Sequence, residues 1–336
     1  MNPADLEFSL ARNTSPASDE VRSGILADPG FGRVFTDHMA IVRYSQAKGW
    51  HSARIESRAN FPLDPATAVL HYAQEIFEGL KAYKRDDGGV NLFRPDANAR
   101  RFQDSADRMA MAPLPEAVFI EAVEQLVRID RDWMPGGEGS LYLRPFMIAN
   151  EVFLGVKPSA EYIFAVIASP VGSYFKGGPA PVSIWVSENY TRAAVGGTGA
   201  VKCGGNYAAS LRAQAEAIQN GCDQVVFLDA AERRWVEELG GMNVFFVFKD
   251  GSVITPPLTG TIPAMALIRL DFPAPFGPSR TTISPASAWT DAPFTMASPG
   301  SYPATSDLTS RMLMPPPRPD RPRSRAASAP PRRACP

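Results

Sequence analysis

The sequence predicts an α/β protein of two domains, and three observations carry that prediction. Strand-like runs rich in β-branched and aromatic residues (HMAIVRYS, SLYLRPFMIA, EYIFAVIASPV) alternate with stretches of helical period. With 45% of its 336 residues hydrophobic and 21% charged, the chain can bury a sizeable core. Midway, the stretch GSYFKGGPAP interrupts the pattern with glycines and prolines that suit a linker.

Taken in order, HMAIVRYS and GWHSARIE read as the first strands. Asp64-Pro65 reads as a helix start, a capping carboxylate followed by proline at the first helical position, leading into ATAVLHYAQEIFEG. In RPDANARRFQDSADRMAM the apolar residues Ala99, Phe102, Ala106 and Met109 recur at helical spacing, and Glu116 to Asp130 repeats it through Ile120, Val123 and Val127. Strands follow in SLYLRPFMIA, EYIFAVIASPV and PVSIWVSENY. The second half continues with the loop GGTGAVKCGG and a helix over NYAASLRAQAEAIQNG, with Gly221 placed to end it. QVVFLDA, RRWVEE and NVFFVFKDGSVITPP then read as strands, the last forming a hairpin about Lys249-Asp250-Gly251.

Composition excludes several classes of function. Against 34 Lys+Arg stand 35 Asp+Glu, so no global basic field would hold nucleic acid or an anionic membrane. Three cysteines (Cys203, Cys222, Cys335) and three histidines (His38, His51, His71) show no metal-ligand spacing, which fits no metal site and a reduced, cytoplasmic compartment. Neither a signal peptide nor a membrane span is expected, since MNPADLEFSL is acidic and no run approaches eighteen apolar residues. From Pro263 onward the composition changes: 16 of the 32 prolines lie in these last 74 residues, with nine arginines, four aspartates and neither Lys nor Glu. Mostly irregular backbone is expected there, because proline removes donors and fixes its own φ.

Two segments could do chemistry. In GGTGAVKCGGNY, Lys202 lies among glycines that let backbone approach a planar ligand. A Walker phosphate loop fails, because Val201 and Cys203 flank the lysine. An amine held in a tight apolar loop can lose its proton and attack a carbonyl, whereas most lysines are simply solvated. In VEELGGMN, Glu237 and Glu238 point to opposite faces of a strand, so one can enter a site while the other meets water. The bland alternative is a solvated strand end. A buried carboxylate requires a cationic partner, which a protonated pyridine nitrogen would supply.

HYAQEIFEGLKAY, SLYLRPF, GGTGAVKCGGNYAASL, EELGGMN and TPPLTGTI, in that order, closely resemble the branched-chain amino-acid aminotransferases of pyridoxal 5'-phosphate (PLP) fold type IV, over about residue 30 to Ile262. The resemblance implies that Lys202 forms the Schiff base with PLP, that Tyr207 hydrogen-bonds the phenolic oxygen and that Glu238 pairs with the pyridinium nitrogen. It places the phosphate-gripping arginine at Arg101, with Arg100 the weaker candidate. Tyr72 and Phe77 would line the side-chain pocket, joined by Tyr142 and Arg144 of the Y-x-R-P motif. The activity implied is transfer of the amino group from branched-chain L-amino acids to 2-oxoglutarate, giving glutamate, by a homodimer whose pockets borrow residues across the interface. A D-amino-acid aminotransferase, an aminodeoxychorismate lyase-like enzyme and a catalytically silent remnant are the alternatives, and FEGLKAY and YLRPF favour the first reading.

The domains implied are a small N-terminal α/β domain over 1–172, an interdomain loop over 173–181 and the start of a large PLP-binding domain over 182–262. Beyond them the family pattern stops. After TPPLTGTI, members of the family continue with L-P-G-[IV]-T-R and later S-G-T-A, whereas this chain reads TIPAMALIRLDFPAPFGPSR with neither segment. Residues 263–336 are therefore read as the product of a frameshift, a fusion or a misassembled frame that replaces the C-terminal part of the large domain, with weakened PLP binding and impaired turnover as the consequence; a proline-rich regulatory tail is the bland alternative.

Overall fold

The computed structural model describes residues 6–172 and 181–256. Residues 173–180, within the expected linker, and the expected proline-rich tail lie outside the described residues.

An eight-stranded sheet dominates the N-terminal part. Its strands are β1 (Ser9–Leu10), β2 (His38–Ser45), β3 (Gly49–Ser57), β4 (Glu75–Phe77), β5 (Leu80–Lys84), β6 (Val90–Leu92), β7 (Ser140–Ala149) and β8 (Glu161–Val171). They run in the order β1-β3-β2-β8-β7-β5-β6, with β4 also paired to β7. The long antiparallel pairing of β7 with β8, from Ser140↔Val171 to Ala149↔Tyr162, forms its spine. Burial on β7 alternates (BBiBiBiBiB), which puts Tyr142 and Arg144 on the less buried face together.

One expectation about the helices needs correction. The segment ATAVLHYAQEIFEG is not a single helix: after α1 (Asp19–Ala27), the next helix, α2, covers only Ala68–Tyr72. Asp64 accepts from the Ala66 N–H at 2.7 Å, a local turn rather than a helix cap, and Ala73 adopts a left-handed conformation (φ 48°) that ends α2. Glu75–Phe77 then pairs with β7, because the backbone of Phe146 to Ile148 offers it hydrogen-bond partners that a continued helix would have left unused.

Two longer helices cover the other face of the sheet, α3 (Pro95–Arg108) and α4 (Glu116–Ile129). Proline opens α3, where its missing N–H costs nothing, and Ala99, Phe102, Ser105 and Ala106 face inward. On α4 the buried stripe is Val118, Phe119, Ala122, Val123, Leu126 and Val127, so Ile120, read from the sequence as core, stands at its margin. Phe102, Phe119 and Phe164 of β8 meet in a triangle with ring centroids 5.5, 5.5 and 5.9 Å apart. Such mutual packing of large rings supplies much of the hydrophobic stabilisation of this layer.

After the undescribed stretch a second, three-stranded sheet forms from β9 (Ile184–Ser187), β10 (Gln224–Leu228) and β11 (Val236–Leu239), in the order β11-β10-β9. The parallel β9–β10 pair requires a crossover, and α5 (Gly204–Gln219) provides it. Gly221, at φ +71°, leaves the helix in the left-handed conformation that glycine adopts freely. A hairpin of β12 (Phe246–Val247) and β13 (Val253–Ile254) closes the described chain, with Gly251 at φ +85° in its turn. Among the described residues no helix is long and apolar enough to cross a membrane, and no group of three His, Cys, Asp or Glu could hold a metal ion.

Candidate active site

The Gly-rich loop before α5 docks against β4. The Phe77 N–H donates to the Lys202 carbonyl (3.0 Å), and the Lys202 N–H donates to Ser105 Oγ on α3 (3.2 Å). Val201 and Cys203, on either side, are buried in the N-terminal core. Asn206 braces the loop from the first turn of α5, donating to the carbonyls of Thr198 (2.8 Å) and Val201 (2.7 Å) and accepting from the Thr198 hydroxyl (2.7 Å). Arg108 donates to the carbonyls of Gly196 and Gly197. With the backbone tied at these points, the direction in which the lysine side chain leaves the loop is fixed.

It ends between two rings. Lys202 Nζ lies 2.7 Å from the Tyr207 hydroxyl, 4.8 Å from the Phe77 ring centre and 5.2 Å from that of Tyr207, while the two rings stand 5.0 Å apart. Lys202 and Tyr207 are five residues apart, a spacing that brings them together only because the helix begins between them.

Opposite, Glu238 on β11 is 7% exposed. Burial, joined by the neighbouring Glu237, pushes its carboxyl up to about 7, although Arg192 and Lys202 pull in the other direction. Arg192 Nη1 donates to Glu238 Oε2 at 2.6 Å, and its guanidinium lies 5.6 Å from the Tyr207 ring centre. Glu237 is half-buried rather than solvated. A protein group, Arg192, thus already supplies the cation that Glu238 requires, and sequence reasoning missed it. The available signal was an arginine in TRAAVGG, four residues before the first glycine of the loop.

Arg101 on α3 donates from Nε and Nη2 to the two oxygens of Glu78, at 2.5 and 2.7 Å. Glu78 is fully buried and also accepts from Asn98 (2.8 Å), so the guanidinium is held in one orientation with its remaining nitrogen uncommitted to this pair. Arg100, by contrast, pairs with Asp96 and Glu116 on the exposed side of α3. Tyr142 and Arg144 are brought together as their spacing predicts: Arg144 Nη2 donates to the Tyr142 hydroxyl (2.9 Å), and its guanidinium lies 4.7 Å from the Phe77 ring centre. Lys202, Tyr207, Phe77, Tyr142 and Arg144 therefore form one chain of contacts, to which Arg192 and Glu238 attach. Tyr72 stands apart, donating its hydroxyl to the Leu154 carbonyl and stacking on Phe153.

A lysine amine beside a phenol, a buried acid with its own arginine and a second arginine on aromatic rings make an arrangement whose charges and hydrogen-bonding groups match those of an anionic amine or carbonyl compound. Comparison with known proteins places that chemistry. The profile of the family described as amino-transferase class IV matches residues 75–264. The chain belongs to this family. It is 58% identical over 267 residues to the branched-chain-amino-acid aminotransferase of Mycolicibacterium smegmatis, covering 78% of this chain and 73% of that protein. To the probable branched-chain-amino-acid aminotransferase of Streptomyces coelicolor it is 60% identical over 257 residues, covering 76% and 71%. Among solved structures, a branched-chain amino acid aminotransferase holding pyridoxamine 5'-phosphate superimposes with a TM-score of 0.52 at 28% identity, over 64% of this chain and 67% of that one. The branched-chain amino acid aminotransferase from Escherichia coli gives 0.52 at 28% identity, over 66% and 67%. The α/β fold is thus that of the class IV aminotransferases.

Proposed function

We propose that this chain is a PLP-dependent transaminase that moves the amino group of branched-chain L-amino acids to 2-oxoglutarate, with Lys202 as the residue that attaches the cofactor. The observation that carries the proposal is the Lys202 amine held 2.7 Å from the Tyr207 hydroxyl beside the buried Glu238–Arg192 pair. The residues fit the cofactor: a planar ring suits the aromatic walls of Phe77 and Tyr207, and among the described residues Arg192 Nε and Arg144 Nε are buried polar atoms without a hydrogen-bond partner. PLP, when bound, supplies an electron-accepting ring that stabilises negative charge at the substrate Cα.

The protein's own residues do the rest. The Lys202 amine would take the substrate Cα proton and deliver it to the adjacent C4′ carbon on the same face, and Tyr207 would fix the direction of that amine. Glu238, as a carboxylate, would accept from the protonated ring nitrogen and so keep that proton on the ring, and the ring cation would counter the upward push that burial gives this carboxyl. Arg101, oriented by Glu78, would hold the phosphate. Arg144 would bind the substrate carboxylate, and Phe77 with Tyr142 would wall an apolar side-chain pocket that favours Leu, Ile and Val over polar amino acids.

The separate sheets, one with all its strands between residues 9 and 171 and one between 184 and 239, support reading 1–172 and 182–262 as parts of two domains joined by 173–181. We also read the active form as a cytoplasmic homodimer, in which Tyr72, whose hydroxyl and ring meet Leu154 and Phe153 in its own chain, serves the pocket of a second copy. Borohydride reduction of the full chain after PLP addition, followed by peptide mass spectrometry, should place the label on Lys202, and Lys202→Ala should abolish turnover. A label on another lysine, or wild-type turnover in the variant, would overturn the assignment.

A further inference from the structure

Glu75, on β4, has no task in the reaction as read above. Its carboxylate accepts from the N–H of Gly204, the first residue of α5 and only two residues beyond Lys202. The first N–H groups of a helix have no acceptor within the helix. At α5 the N-cap residue, Cys203, makes no side-chain cap bond, and the first turn contains no acidic residue. A carboxylate from a different sheet, 129 residues away in sequence, fills that role. Holding it there is costly: burial pushes Glu75 up from the ordinary carboxylate value, opposed by the Gly204 N–H and by Arg144. The fit is also close, since a Cβ on Gly204 would collide with Glu75 Oε1.

Together with the Phe77 N–H on the Lys202 carbonyl and Ser105 on the Lys202 N–H, this bond fixes residues 202–204 from outside both the loop and α5. Glu75 and Phe77 are two apart on one strand, so one short segment clamps the loop and forms a wall of the site. We propose that Glu75 is a positioning residue for the reactive lysine, acting through Gly204 as an external cap of α5. The proposal rests on the assignment of Lys202 made above.

The test compares the full-length wild type with Glu75→Ala, Glu75→Gln, Gly204→Ala and the Glu75→Ala/Gly204→Ala double variant. Hydrogen–deuterium exchange of the ligand-free proteins is read in peptides spanning residues 202–204, alongside borohydride labelling with PLP. Glu75→Ala should speed exchange there about tenfold, the order expected for one lost buried bond. Glu75→Gln should restore it to within about twofold, because the amide oxygen can still accept from Gly204. Gly204→Ala, although alanine favours a helix, should reproduce the loss by displacing the carboxylate, and the double variant should be no worse than the worse single. If Glu75→Ala unfolds throughout, the same comparison is read from Gly204→Ala and Glu75→Gln. Unchanged exchange, failure of Glu75→Gln to rescue or additive losses would overturn the proposal while a Lys202 label leaves the functional reading intact; a label elsewhere removes that reading and the proposal with it.

Discussion

The pair of Arg192 and Glu238 makes a quantitative prediction, because both groups are buried, at 9% and 7% exposure, and joined at 2.6 Å. Arg192→Met keeps the apolar stem and removes the charge, leaving a carboxylate in a site that desolvates it. Removing one member of such a pair costs about 3–5 kcal/mol. In a chain of 336 residues, with about 1–2 °C of Tm for each kcal/mol, the ligand-free protein should melt roughly 3–10 °C lower at pH 8. The sign of the pH dependence follows from the direction of the shift. Glu238 in the folded protein holds its proton more tightly than the ordinary value of 4.5, so its contribution to stability is fully present below 4.5 and declines as pH rises through about 7. Loss of Arg192 raises the folded value further. At pH 5 the acid is then protonated and the deficit of the variant should shrink to a small fraction of its size at pH 8. Scanning calorimetry at both pH values measures this, and Arg192→Met/Glu238→Gln, which buries no charge, should recover most of the loss at pH 8. An equal Tm decrease at both pH values, or no recovery in the double variant, would refute the electrostatic reasoning.

Three other outcomes can be checked separately. Gly79→Ala places a Cβ against the Tyr142 side chain, 3.1 Å from Cζ and closer still to the hydroxyl, so the ring must leave Arg144; KM for the amino donor should rise about tenfold with a smaller change in kcat in steady-state assays. Phe164→Ala empties the space between Phe102 and Phe119 and should destabilise the fold by about 3–5 kcal/mol in denaturant titration, and a loss below about 1 kcal/mol would show that the triangle is not an organising core. Resequencing the gene across codon 262 should recover an L-P-G-x-T-R coding frame displaced by one or two bases, whereas an uninterrupted frame encoding the tail as it stands would reject the frameshift reading.

Much of the architecture was legible because local chemistry and global packing agree. Proline at the start of α3 with Phe102 and Ala106 at helical spacing, and the run of β-branched and aromatic residues in β8, leave few alternatives. The segment before Phe77 misled because His71 to Glu78 contains no strong breaker, and a short apolar run reads as well for helix as for strand. Its fate was settled by the free edge of β7, which lies 69 residues later in the register Phe77↔Phe146.

The site divides in the same way. Glycines on both sides of Lys202, the alternation of Glu237 and Glu238 and the Y-x-R-P spacing are local, and so a candidate amine, a pair of acids of which one faces inward and a tyrosine–arginine pair on one face could be read from the order of residues, while the choice of Glu238 came from the family resemblance. Arg192 against Glu238, Glu78 against Arg101 and Glu75 against Gly204 are separated by 46, 23 and 129 residues. The linear order of the chain determined which groups have the reactivity. Folding alone decided which of them share a low-dielectric space, where a carboxylate without a countercharge is too costly to keep and each partner must therefore be drawn from a distant element.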